Sequence, residues 1–417
     1  MKKKFFFRVL IPLLLVMLGY GLGLSRYGYI HGPDSAVPDV LATAQNILSF
    51  EPAQVKILRG KTHEEQDPEH PEYYYHQLDK DEQRAYREML DSLRAWEKEF
   101  YLTIGEDKKI DRVFHAVLND HPELYWVRNR NPVYKTLYNG EKYCMFAPGY
   151  SYLNSSGTEK DPKKTARIDK AIAKACSEVM DLVPDDAGEY EKVSAVYIWL
   201  IDHTEYVESK HDQSIAGVFW KGKAVCAGYA SAMQYMLDML GVNCIYVEGT
   251  ANASGEGHAW NLVQIGDSWY YVDVTNADQP EFLTGDAASL EEHKTILMDY
   301  LCPFPQEYGA LYTPDETFSL PSCTMTDMNF YVLNGGCFSS YDPDSLNSYF
   351  HMRIDNGAAV IRYKFTDRTV FEEADKDWPL TPQLEEAIQY YMICNGLTQI
   401  QYHYGALSNL NTVYYIF

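Results

Sequence analysis

The sequence predicts an α+β fold, and three observations predict it. Through Glu189–Val207 apolar residues recur at helical spacing, with Val193, Val196, Tyr197 and Leu200 at i, i+3, i+4 and i+7. From residue 243 the pattern becomes β: NCIYVEG (243–249), HAWNLVQI (258–265) and SWYYVDVT (268–275) are rich in β-branched and aromatic side chains. Between the last two, Gly266-Asp267 suits a two-residue turn with positive φ, which makes them an antiparallel hairpin.

A chain of 417 residues exceeds one ordinary domain, so two or three folded units are expected. Residues 1–24 read as a signal anchor: Lys2, Lys3, Lys4 and Arg8 precede an apolar run from Val9 to Leu24. Counting back through Phe5, Phe6 and Phe7 reaches the length of a span, with Arg8 snorkelling to the headgroups. The basic end then lies inside and the body of the chain outside the membrane. A cleaved signal peptide, and hence a secreted protein, is the alternative. Residues 25–71 are polar and punctuated, and HEEQDPEHPE (63–72) reads as a solvated linker.

Residues 72–160 are expected to form an N-terminal α+β domain. Its first helix runs from Gln77 to about Phe100, with Asp79 and Glu82 as a cap-like start, and a second covers 107–119. LYWV (124–127), VYKTLY (133–138) and YCMFAPGYSYL (143–153) read as its strands. Residues 161–300 form the next unit. A helix over Lys163–Leu182 and a break at Pro184–Gly188 precede the amphipathic helix already described. A further helix starts at Cys226 and runs to Leu240, with Gly241 where a C′ glycine ends it. Residues 301–417 read as a C-terminal β-rich domain. Its strands are RIDNGAAVIRYKF (353–365), TQIQYHYG (398–405) and TVYYIF (412–417), with one helix at 382–394 between Pro382 and Gly396.

Composition excludes some classes. The net charge of −23, from 59 acidic and 36 basic residues, repels phosphate backbones, so no nucleic-acid partner is expected. The eight cysteines are irregularly spaced with no C-x-x-C pair, which removes zinc and thioredoxin-type readings. Export would permit disulfides, but if Cys226 is a free nucleophile the remaining seven cannot all pair.

The residues that carry chemistry are Cys226, His258 and Asp273. If the turn is Gly266-Asp267, Ile265 faces Ser268; the ladder then sets His258 opposite Thr275 and Trp260 opposite Asp273. Side chains alternate, so His258 and Asp273 share a face as diagonal neighbours, suited to a His–carboxylate hydrogen bond. A three-residue loop would place them on opposite faces. Cys226 opens a helix, where N–H groups and the macrodipole favour a thiolate and where its own N–H can meet an oxyanion. Nucleophile, base and orienting group are what covalent catalysis by cysteine needs. An isolated cysteine with a distant histidine is nonetheless usually unrelated structure.

Three segments sharpen this. EYEKVSAVYIWLIDHTEYVE (189–208), QSIAGVFWKGKAVCAGYASAMQYMLDMLGV (213–242) and GHAWNLVQIGDSWYYVDVTNADQP (257–280) resemble the bacterial transglutaminase-like superfamily. The N-terminal stretch from EYYYHQLD (72–79) through HPELYWV (121–127) looks like the domain often preceding such a core. The resemblance implies a papain-like core, a helix-borne cysteine packed on an antiparallel sheet, flanked by smaller α+β domains. It makes Cys226 the nucleophile, His258 the general base and acid, and Asp273 the group that orients it. Two positions depart from the pattern: Asn276 stands where a tryptophan often follows VDVT, and Trp220 lies at a variable position before Cys226. Trp220 is a candidate second oxyanion donor or a packing residue. Cys244, Trp260, Asn261 and Trp269 are read as structural, with Trp260, on the catalytic face in this register, also a candidate to shield the His258–Asp273 pair.

The expected activity is acyl transfer through a thioester on a peptide or protein substrate, with a cell-surface substrate among the candidates and hydrolysis by a protease or amidase route preferred to cross-linking. No metal or cofactor is expected, because the triad needs no cation and no EF-hand loop is present. The rivals are a binding module that keeps the fold without its chemistry, and a cell-surface scaffold.

Overall fold

A computed structural model describes residues 72–136, 143–278 and 298–417. The segment read as an anchor and linker, 1–71, lies outside the described residues. Among the described residues no helix is long and apolar enough to cross a membrane. Contacts divide the described residues into two compact units: one holds those up to Asp169 with 317–319, the other those from 170 to 316 and 320–417.

In the first unit, α1 (Lys80–Arg94) starts with a complete capping box: Asp79 accepts from the Glu82 amide and the Glu82 side chain accepts from the Asp79 amide. β1 (Phe100–Leu102), α2 (Asp107–Asp120), β2 (Val127–Thr136) and β3 (Cys144–Tyr150) follow, with an antiparallel sheet in the order β1-β3-β2. LYWV (124–127) differs from expectation, since only Val127 enters a strand. Leu124 and Tyr125 are buried in turns closed by Leu124 N–H to His121 and Val127 N–H to Leu124. Inside this unit Arg87 donates two hydrogen bonds to Glu72, at 2.7 and 2.6 Å, both side chains buried. The helix α3 (Pro162–Leu182) contains the boundary between the units.

The second unit holds the site. α4 (Glu189–His203) leads to β4 (Glu205–Tyr206), which pairs in parallel with β5 (Lys223–Ala224), and α5 (Cys226–Met239) follows at once. Gly241 ends α5 region in a left-handed conformation, φ +71°. The main sheet has the order β8-β7-β6-β9, from β6 (Cys244–Ala251), β7 (Gly257–Ile265), β8 (Ser268–Val272) and β9 (Tyr312–Pro314), with all pairs antiparallel. Among the described residues between β8 and β9 are the short helices α6 (Val274–Ala277) and α7 (Pro305–Leu311). α5 packs across β6 and β7 through small residues: Ala227, Ala230 and Ala259 cluster with Tyr246, and Cys226 lies against them. Gly228 instead lets α5 lie close against the segment before it, because a Cβ there would stand 2.3 Å from the Asp212 carbonyl oxygen.

Residues 301–417 are α+β rather than β-rich. After α8 (Phe330–Leu333), β10 (Cys337–Phe338) and α9 (Pro343–Asp355) come β11 (Val360–Phe365), α10 (Arg368–Asp377), α11 (Pro382–Cys394), β12 (His403–Leu407) and β13 (Thr412–Ile416). The sheet order is β10-β11-β13-β12, and its core joins Phe350, Trp378, Tyr363, Phe365 and Tyr415. Arg353–Asp355, expected as strand, complete α9 instead. Asp342 caps that helix, Pro343 starts it, and Leu346, Tyr349, Phe350 and Ile354 bury one face at helical spacing.

Candidate active site

The site is built on the β7–β8 hairpin and the first turn of α5. Ile265 pairs with Ser268 and Asn261 with Val272, so the loop is the even one, Gly266-Asp267, with Gly266 at φ +60°. The ladder stops at Val272. Beyond it the expected pairing of His258 with Thr275 does not form, because the chain leaves the sheet. The Asp273 N–H bonds the Tyr300 carbonyl at 3.0 Å, and Thr275 lies in α6. Asp273 thereby acquires two functions. Its Oδ1 caps α6 by accepting from the Asn276 N–H at 3.1 Å, while its Oδ2 lies 2.8 Å from His258 Nε2.

His258 is half-buried and Asp273 fully buried. Cys226 lies beside the same imidazole, near enough to favour its charged form. With Nε2 on the carboxylate, Nδ1 is the nitrogen left for the thiol. Burial pushes the His258 pKa down, but the charge and hydrogen bond of Asp273, together with Cys226, outweigh it and raise it to about 10.

Cys226 is the first residue of α5, so its own N–H belongs to the amide groups that a helix leaves unpaired at its start. All eight thiols are free. Burial pushes those of Cys144, Cys176, Cys244, Cys302, Cys323 and Cys337 up, disfavouring the thiolate. Cys226 is distinguished by its histidine partner.

The structure brings Cys226, His258 and Asp273 together and surrounds them with Trp260, on the expected face, and with residues that the sequence did not single out for this purpose. The Tyr308 hydroxyl, buried, donates to Asp273 Oδ2 at 2.9 Å. Asn276 Nδ2 donates to the same oxygen at 2.6 Å and to the Tyr312 hydroxyl at 2.7 Å. The ring of Tyr312 lies on His258, with centroids 4.5 Å apart, and Trp260 approaches the imidazole at 5.9 Å. Asn276, noted only as a departure from the usual tryptophan, thus fills its place with hydrogen bonds. Tyr308 and Tyr312 had no signal in a single sequence, since they follow the hairpin by a stretch of unrelated composition. Asn261 is structural as expected: its buried amide donates to the Ala230 carbonyl in α5 at 3.0 Å and to that of Ile245 in β6 at 3.4 Å. Trp220 lies in a π-helical turn, Gly217–Lys221, with the Lys221 ammonium 3.5 Å from its ring centroid.

The Transglutaminase-like superfamily profile matches residues 177–274, the stretch that holds Cys226, His258 and Asp273. Kyphoscoliosis peptidase of Mus musculus is 26% identical over 217 residues, 46% of this chain and 32% of the relative. That of Homo sapiens is 32% identical over 224 residues, with the same coverage. The chain therefore spans about a third of the length of the curated relatives it matches. A crystal structure of a TGase is similar with 18% identity and a TM-score of 0.25, over 47% of this chain and 55% of that one.

Proposed function

From the membership of this chain in the transglutaminase-like superfamily, carried by residues 177–274, we propose that it is a cysteine enzyme that hydrolyses a peptide or side-chain amide through a thioester. The observation that carries the reading is the His258–Asp273 contact, Nε2 to Oδ2 at 2.8 Å, beside Cys226 at the start of α5.

The chemistry follows from that placement. The Cys226 thiolate attacks the amide carbonyl carbon, forming a C–S bond and moving the carbonyl electron pair onto oxygen. The N–H at the start of α5 is positioned to donate to that oxyanion. As the tetrahedral intermediate collapses, the C–N bond breaks and the His258 imidazolium gives its proton to the departing amine. The neutral imidazole then takes a proton from water, the hydroxide adds to the thioester carbon, and the C–S bond breaks to release the acid and regenerate the thiolate–imidazolium pair. Asp273 keeps the ring oriented and favours its charged form throughout, without itself taking the proton. Hydrolysis is preferred to cross-linking because both curated relatives are named as peptidases. We further propose that residues 1–24 tether the body of the chain outside the membrane, on the strength of the basic-then-apolar terminus.

The test is to incubate the full chain and its Cys226→Ala variant with a complex peptide mixture and to read new termini by mass spectrometry. New termini with the wild type alone support the reading. Incorporation of a labelled primary amine without new termini would replace hydrolysis by transamidation. Neither product, from a folded chain, points to a binding module.

A further inference from the structure

The carboxylate of Asp273 is held by more than its own hairpin. Its N–H is bonded to the carbonyl of Tyr300, and its Oδ2 receives the hydroxyl of Tyr308 at 2.9 Å. Both partners lie beyond residue 274, where the superfamily match ends. Each belongs to a short segment that, on its other side, is bound by a buried polar group of the C-terminal sheet.

The first segment is the turn Met298–Tyr300. Its Asp299, fully buried, accepts from the Tyr331 hydroxyl at 3.0 Å and from the Tyr414 hydroxyl of β13. The second is α7. Its Glu307 meets the ammonium of Lys364 on β11 at 2.6 Å and accepts from the Asn411 amide at 2.8 Å. Lys364 is 2% exposed and also donates to the Leu410 carbonyl. A lysine this deeply enclosed is costly unless paired, so its position and that of Glu307 are strongly mutually determined. Glu307 and Tyr308 are consecutive, and Tyr312 follows one turn later with its ring on His258. Displacing α7 therefore moves a donor from Asp273 and the cover from His258 together.

We propose that Tyr308 and Tyr312 are positioning residues for the His258–Asp273 pair, and that the Lys364–Glu307 and Tyr414–Asp299 contacts make the C-terminal sheet part of the catalytic apparatus. The reactivity of Cys226 then depends on strands far beyond the triad in the chain. Geometric control of this kind is steep, because small displacements at a reacting centre cost large factors in rate. The inference rests on the reading of Cys226 as an activated nucleophile.

The experiment uses the full chain and needs no substrate. Alkylation of Cys226 by iodoacetamide at neutral pH is followed by peptide mass spectrometry, with the exposed Cys394 as internal reference. In parallel, proton NMR reads the downfield ring N–H shared by His258 and Asp273. Tyr308→Phe keeps the buried ring and removes only the hydroxyl; alkylation should slow roughly tenfold and the downfield proton should shift or broaden. Lys364→Met should slow it roughly a hundredfold, with Lys364→Arg recovering most of the loss. Circular dichroism checks each fold, and Tyr308→Phe decides the matter if Lys364→Met does not fold. A wild type with a fast Cys226 and a downfield proton, both unchanged in Tyr308→Phe and Lys364→Met, overturns the inference alone. A wild-type Cys226 no faster than Cys394 overturns the nucleophile reading and the inference with it.

Discussion

The ring of Tyr312 lies 4.5 Å from that of His258, the two planes 28° apart. The contact exists because β9 can approach β6 at Gly249, which pairs with both His258 and Pro314. A Cβ at Gly249 would stand 2.2 Å from the Thr313 carbonyl oxygen and 2.6 Å from the Trp260 ring. Gly249→Ala is expected to push β9 outward, lower stability by about 1–3 kcal/mol through overpacking and reduce activity at the same time. Urea unfolding checks the first effect, and Cys226 alkylation the second. An Ala variant as stable and reactive as the wild type would show that β9 is not held there.

Groups that act as a unit lose activity together. Cys226→Ala alone should remove nearly everything that the triple change at Cys226, His258 and Asp273 removes. Asp273→Asn should cost less, since it keeps the shape of the side chain while losing the charge that favours the imidazolium. Turnover of a cleaved peptide in the four proteins measures this, and additive losses would refute a coupled triad.

The pH dependence has a definite sign. The pKa of His258 is about 10 in the folded chain against the ordinary 6.5. The folded state keeps a proton that the unfolded chain releases first, so this contribution to stability is complete below pH 6.5 and is lost as pH rises through about 10. Asp273→Asn removes the main cause of the elevation. Denaturant midpoints at intervals from pH 6 to about 10 should fall more steeply for the wild type than for Asp273→Asn. Parallel curves would mean that the imidazole is not held charged by the carboxylate.

Asn261 couples the helix of Cys226 to the strands behind it. Asn261→Leu removes the donor from the buried carbonyls of Ala230 and Ile245 and is expected to cost about 1–3 kcal/mol. Cys226→Ala, at a half-buried position, should change stability by less than about 1 kcal/mol. Thermal melts of the two variants separate a structural residue from a chemical one, and equal effects would contradict the assignment.

What the sequence by itself determined were features written within a few neighbouring residues. Asp79 and Glu82 announce the start of α1, Gly266-Asp267 sets the even hairpin loop, and Cys226 opens α5 with Gly241 closing it. Turn chemistry, caps and side-chain alternation act locally, so counting fixes the hairpin register as far as Val272, one residue short of Asp273. Local reading failed where a more distant residue set the backbone. Arg353–Asp355 precede a β-rich run and look extended, but the Asp342–Pro343 start carries helix through them. Only the tertiary structure decided that Asp273 leaves the ladder to cap α6, that Tyr300, Tyr308 and Asn276 converge on it, and that Tyr312 covers His258. Those partners come from segments brought together by packing and by the buried Lys364–Glu307 pair. Such contacts depend on where whole elements settle against one another, which no pattern within either segment records.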